Sequence, residues 1–239
     1  MSGVDPATSS QRDTARTVRS LRDETVKHYL ETIFYIDFEE QRVRPSRIAE
    51  WMSVSPATVS TTLKGLEAAG WVSVDADRSI ALTPRGRRVA EDIVRSHRLL
   101  ERWLTDGLGL DWAAADQEAQ NLAPVFSKEL ADRLDKHLGN PSTCPHGNVI
   151  PGREAPYGTL TSLADLEPST PAYVRRISEV AEHDAPDLLR LLHSSGIAIG
   201  TLVQVTGARA TTGAISLRAG RRTMALGTDV ARSIWVECE

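Results

Sequence analysis

The chain lacks the features that would place it in several large protein classes. It has only two cysteines, Cys144 and Cys238. So wide a separation gives no disulfide framework and no CxxC metal knuckle. There is no apolar run of about eighteen residues, which excludes a membrane-spanning helix. The first fifteen residues have no apolar core of the signal-peptide kind and read as a flexible arm, so a cytoplasmic location is expected. Paired carboxylates, a nucleophile elbow and a phosphate loop are all missing, which argues against an enzyme. An excess of positive charge is missing too, since the net charge is −4. A nucleic-acid binder of this kind must concentrate its basic surface locally. Residues 44–102 carry ten Lys/Arg against seven Asp/Glu, a net of +3 that leaves −7 for the remainder. The pattern is a basic head on an acidic body.

What is present is concentrated in residues 44–87. Ile48, Ala49, Trp51 and Met52 mark the buried side of a short helix, and a turn at Ser53-Val54 follows it. Ser55-Pro56 is a helix start, with a hydroxyl N-cap and proline at the first helical position. Val59, Leu63 and Leu66 give the second helix its apolar face, and Gly70 stops it. Residues 71–74 and 79–82 alternate as strands around a turn, and Thr83-Pro84 opens another helix. This is the layout of a winged helix-turn-helix, a DNA reader. Ser55, Ala57, Thr58, Ser60 and Thr61 stand at the start of the recognition helix. Arg47, Lys64, Arg78 and Arg85 are expected to hold phosphates.

The rest divides by pattern. Residues 1–19 are the arm, 20–88 the winged DNA-binding domain and 89–152 a helical dimerisation and metal-binding domain. Residues 153–170 read as a linker, and 171–239 as a small all-β domain. Helices are expected over 14–40, 84–108, 112–122 and 127–138. Five short strand candidates and one short helix after residue 171 suggest an SH3-like barrel. The fold class is thus mainly α in the N-terminal part, followed by a small all-β C-terminal domain.

The strings HYLETIFYI, RIAEWMSVSPATVSTTL, DRSIALTPRGRRVAE, SHRLLERWLTDGLGLD and CPHGNVIPG together resemble the diphtheria-toxin-repressor-like family of iron- and manganese-dependent repressors. The segment 177–205 looks like that family's SH3-like domain. The resemblance implies a homodimer whose contact is built from residues 112–138. Trp112, Leu122, Val125, Phe126 and Leu130 supply apolar surface there, part of it filling the monomer core. It also implies two transition-metal sites. The ancillary site takes a His and a Glu four apart on the helix after the wing, matched by His97 and Glu101. Such a pair shares one helical face. Asp116 stands where the family has its next ligand, a His; a carboxylate there shifts preference toward harder ions such as Mn(II). Asp184 and Asp187 match an acid and an amide lent by the SH3-like domain, and capping of the following helix is their plainer reading.

The family's primary site is degenerate here. Its Cys/Glu-xx-Glu-His stretch is replaced by Gln120-Asn121-Leu122-Ala123-Pro124, in which Ala123 and Pro124 carry no donor. His28 stands at the first-helix ligand position, and its plainer reading is a partly buried imidazole. With the Gln120 oxygen it does not make a tight site. His146, in the PHGN loop, reads as a structural hydrogen-bonding residue. The expected function is a homodimeric, metal-responsive repressor, with Mn(II) or Fe(II) as cofactor and an inverted-repeat operator in double-stranded DNA as partner. Two alternatives stay open. One is a metal-independent regulator of the same fold; the other is a metal- or small-molecule-binding protein that uses its winged domain for protein contacts.

Overall fold

The structure, a computed structural model, describes residues 23–40, 42–179, 183, 186–206 and 213–239. The chain divides into two compact units, Met1–Val94 and Arg95–Glu239, with the division falling inside a long helix. The expected start of the first helix at residue 14 lies outside the described residues.

In the first unit, α1 (Asp23–Glu40), α2 (Pro45–Trp51) and α3 (Pro56–Ala68) precede a two-stranded wing, β1 (Val72–Val74) and β2 (Ile80–Leu82), and the start of α4 (Pro84–Asp106). Proline opens α2, α3 and α4, where its fixed φ suits a first turn and its missing N–H costs nothing. The Ser55 hydroxyl caps α3 by accepting from Thr58 N at 3.1 Å. Val59, Leu63 and Leu66 are buried, as their helical spacing predicts. Gly70, at φ +72°, ends the helix in a conformation that side chains resist. The wing strands pair antiparallel, Val72 with Leu82 and Val74 with Ile80. The turn between them is pinned by Asp77, which accepts from Ser79 N at 3.1 Å and meets Arg42 and Arg44 at 3.1 and 3.5 Å. The Ser79 hydrogen bonds, then the two arginines, hold the Asp77 carboxyl below its usual range. No helix among the described residues is long and apolar enough to cross a membrane.

The second unit holds the end of α4, then α5 (Trp112–Leu122), a 3-10 turn (Ala123–Val125) and α6 (Lys128–His137). Asp111 and Ser127 cap α5 and α6 through Ala114 N and Leu130 N. A six-stranded antiparallel sheet follows, built from β3 (Thr161–Ser162), β4 (Pro171–Ile177), β5 (Leu202–Val205), β6 (Ala214–Ala219), β7 (Arg222–Gly227) and β8 (Ile234–Cys238). Its strand order is β3-β8-β4-β5-β6-β7. Helices α7 (Pro186–Ser195) and α8 (Thr228–Arg232) interrupt it. The five strands expected after residue 171 are all present, as β4 to β8. The expected linker is shorter than residues 153–170. β3 lies inside that stretch, and Leu163, Ala164 and Leu166 are buried in the β-domain core. The apolar side chains there are too widely spaced to show a strand period.

One ion network braces the helical part. The Asp135 carboxylate, nearly buried on α6, accepts from Arg95 at 2.7 Å and from Arg153 at 2.6 Å. Arg95 also reaches Asp132 at 2.8 Å. Removing one member of a buried ion pair leaves the other charge without compensation. Asp135→Asn is therefore expected to lower folding stability by about 3 kcal/mol in urea unfolding. A loss under about 1 kcal/mol would mean that water already screens the network.

Candidate metal centre

Residues 96–101 are all buried, although His97, Arg98 and Glu101 are polar or charged. Helical spacing puts His97 and Glu101 on one face, and their Nε2 and Oε1 atoms lie 3.6 Å apart. Asp116 comes from α5, with Oδ1 3.3 Å from His97 Nε2. From the third side comes the loop 144–150, where His146 Nδ1 stands 3.0 Å from Glu101 Oε1. Cys144 joins Glu101 and His146 in a second group of close donors. Within each group, His97/Glu101/Asp116 and Glu101/Cys144/His146, the donor atoms lie within 4.8 Å of one another. Glu101 belongs to both.

Electrostatics follow from burial. Desolvation pushes the Glu101 carboxyl up, but the positive charges of His146 and then His97 outweigh it and hold the group well below the usual carboxylate range. The buried Cys144 thiol is pushed up to about 11 by desolvation and by the Glu101 charge beside it. An ion that takes this sulfur must displace its proton, so binding through Cys144 strengthens as pH rises toward that value. Two imidazoles, two carboxylates and a thiol, all buried except the partly exposed Asp116, fit a divalent first-row cation.

The 144–150 loop is held by the β-domain. Ile177 N donates to the His146 carbonyl at 2.9 Å, and Asn148 Nδ2 donates to the Ile177 carbonyl at 3.0 Å. Gly147 has φ +86°, and a Cβ there would fall 1.9 Å from the Arg175 carbonyl oxygen. Only glycine allows this approach. Two residues beyond Ile177, the buried Glu179 carboxylate accepts from Arg98 Nε at 3.0 Å and Nη2 at 2.7 Å. Burial raises the Glu179 pKa, against the Arg98 charge, and Glu101 raises it further. Arg98 also donates to the Val149 carbonyl.

His97, Glu101 and Asp116 are therefore brought together, and His146 and Cys144 join them. The structural reading of His146 is incomplete: its carbonyl is structural, but its ring faces Glu101. Asp187 stands apart. It is exposed and paired with Arg190 at 2.8 Å, because its place in the first turn of α7 points it to solvent. Asp184 lies outside the described residues. Among the described residues, the acid of this segment that reaches the cluster's field is Glu179. The expected acid spacing of three also joins Glu179 to Glu182, a signal that could have found it; Glu182 lies outside the described residues. His28 on α1 and Gln120 on α5 are each half-buried, and Ala123 is buried in the 3-10 turn.

On α3, Ser55, Ala57, Thr58, Ser60, Thr61 and Lys64 are exposed, as is Arg78 at the wing tip. Thr61 Oγ1 donates to the Ala57 carbonyl at 3.0 Å. Arg47 differs: only 15% of its side chain is exposed, and it lies over the Trp51 ring with an ion pair to Glu50. An Arg four residues before a Trp on one helix stacks on it. Arg85 likewise stacks on Trp71 at 3.8 Å and donates to the Ala69 carbonyl.

A winged helix-turn-helix followed by a helical segment with a buried donor cluster and a small β-domain defines a metalloregulator. Comparison with known proteins places it further. Residues 23–80 match the iron-dependent repressor N-terminal DNA-binding domain, 83–152 the iron-dependent repressor metal-binding and dimerisation domain, and 161–238 the FeoA domain. The iron-dependent repressor IdeR of Mycobacterium leprae is 34% identical over 227 residues, covering 90% of this chain and 97% of that protein. The diphtheria toxin repressor of Corynebacterium diphtheriae is 36% identical over 225 residues, covering 90% and 97%. A solved manganese-dependent transcriptional repressor in complex with manganese superposes with a TM-score of 0.80 at 32% identity, over 90% of this chain and all of that one. The chain belongs to the diphtheria toxin repressor family of metal-dependent transcriptional repressors.

Proposed function

We propose that the chain acts as a homodimer that binds an inverted-repeat operator when one Mn(II) or Fe(II) ion per subunit occupies the cluster around Glu101. The observation that carries this reading is the Glu101 carboxylate, 1% exposed, facing His97, His146 and, through His97, Asp116. So many buried donors are costly unless they serve a ligand. His97, Glu101, Asp116, His146 and Cys144 would hold the ion, with Glu179 within reach of its field. Bound there, the ion supplies positive charge that ties α4, α5 and the 144–150 loop together. The family's other site contributes little in this reading, because Ala123 and Pro124 offer no side-chain donor. A hard ion suits the carboxylates, whereas the thiol favours softer ions such as Zn(II).

The dimer reading rests on an apolar stripe. Leu122, Val125 and Leu130 are 38%, 65% and 48% exposed along α5, the 3-10 turn and α6. Trp112 and Phe126 belong elsewhere: Trp112 is buried with the β-domain core, and Phe126 packs on Leu99, Ala131 and Ile150. At the operator, the exposed small residues of α3 face the bases, with Lys64 and Arg78 on phosphates. A gel shift on operator DNA with a titration of Mn(II) or Fe(II) tests the whole reading. Retardation is expected only with metal and is expected to vanish in chelator. Equal binding in chelator would identify a metal-independent regulator instead. No retardation under any condition would leave protein contacts as the role of the winged unit.

A further inference from the structure

A metal site needs its imidazoles turned correctly as well as placed correctly. The backbone of His146 is fixed by Ile177 N and by the close approach of Gly147 to β4, but neither sets the ring's rotamer. The ring is met by the Trp112 indole in a T-shaped contact, with centroids 5.2 Å apart and planes at 83°. Trp112 opens α5 directly after its cap, Asp111. It stands four residues before Asp116, on the same helical face. The same indole lies 6.1 Å from His193 and belongs to the buried β-domain core with Leu188, Leu189 and Leu192 of α7.

We propose that Trp112 is a positioning residue of the metal centre, holding the His146 ring toward Glu101 and linking that orientation to the packing of α5 on the β-domain. Edge-to-face contacts between rings carry a preferred angle that aliphatic packing lacks, so the indole does more than fill space. One residue thus serves two neighbours: its helix carries Asp116 to His97, and its ring holds His146 to Glu101. The consequence is that the metal centre and the β-domain core share one side chain, so the indole, and not the core's overall stability, sets the orientation of the His146 ring. The proposal rests on the Glu101 cluster being the metal site.

The test uses the full chain with Trp112→Leu, Trp112→Phe and, as a packing control, Leu189→Val. Mn(II) and Zn(II) affinities are measured by competition with a chelating dye, and the His146 ring nitrogens are followed by NMR in metal-free protein. Trp112→Leu is expected to weaken binding of both ions by about 10-fold or more, the scale seen when the support of a ligand is removed. It is also expected to shift the His146 ring signals. Trp112→Phe, which keeps an aromatic ring, should stay close to wild type in both. Leu189→Val should lower the melting temperature and leave both readouts unchanged. If Trp112→Leu does not fold, Trp112→Met fills the space without a ring and carries the same expectation. Wild-type affinity and an unchanged His146 spectrum in a folded, less stable Trp112 variant would overturn the proposal. If the wild type takes up neither ion, the metal reading fails, and the His146 spectrum alone still decides whether Trp112 orients the ring.

Discussion

Glu101→Gln is expected to abolish tight metal binding, lowering Mn(II) affinity by more than about 100-fold. Losing an outer partner of a ligand costs about 10–100-fold, and Glu101 is the one donor common to both close groups. The glutamine keeps the shape and buries no new volume, so circular dichroism should be unchanged. What disappears is the negative charge that two imidazoles face, and with it the attraction that offsets desolvation of a divalent ion. The gel shift should then show no retardation of the operator, with or without metal. His97→Ala and Asp116→Ala remove donors from one group only, so their losses should be smaller. An affinity within about 3-fold of wild type for Glu101→Gln, well inside the range for an outer partner, would move the metal to another place in the chain.

The second large effect is structural. Gly147→Ala should destabilise the second unit by roughly 2–5 kcal/mol, combining left-handed strain with overpacking. The added methyl cannot be relieved by a side-chain rotation, because the atoms it meets at 1.9 and 2.9 Å are the Arg175 carbonyl oxygen and carbon. The loop must lift from β4, which breaks the Ile177-to-His146 hydrogen bond and carries the imidazole from Glu101. Thermal melting should show the loss without metal, and metal should restore only part of it. Tyr157, whose hydroxyl donates to the Gly147 carbonyl at 3.0 Å, would lose its acceptor in the same movement.

The reading head was legible because each of its elements carries a local sign. Ser55-Pro56, Gly70 and the Val59/Leu63/Leu66 spacing act over a few residues, and periodicity reports them directly. His97 and Glu101 were legible for the same reason, since a helix fixes their spacing, and Asp116 followed only from the family resemblance. His146, Cys144 and Glu179 were not. They reach the cluster from a loop and from the end of a strand, where no period relates them to α4. Their proximity is made by long-range bonds such as Ile177 to His146 and Arg98 to Glu179. For Trp112 the pattern leaves dimer surface and monomer core open, because a buried indole and an exposed one look alike in a helical pattern, and the structure places it in the core. The extent of the linker was misjudged because a two-residue strand has no alternation to detect.

On the proposed metal reading, Arg98 would raise the cost of filling the centre. Its guanidinium is paired with Glu179 and lies buried on the same stretch of α4 as His97 and Glu101. An arriving ion feels that charge as repulsion, and an ion that draws Glu179 to itself leaves the guanidinium short of its counter-charge. Metal binding there would therefore be discounted by the cost of disturbing a pair that is already satisfied. On the proposed metal reading, the Arg98–Glu179 pair would thus raise the metal level at which the site fills.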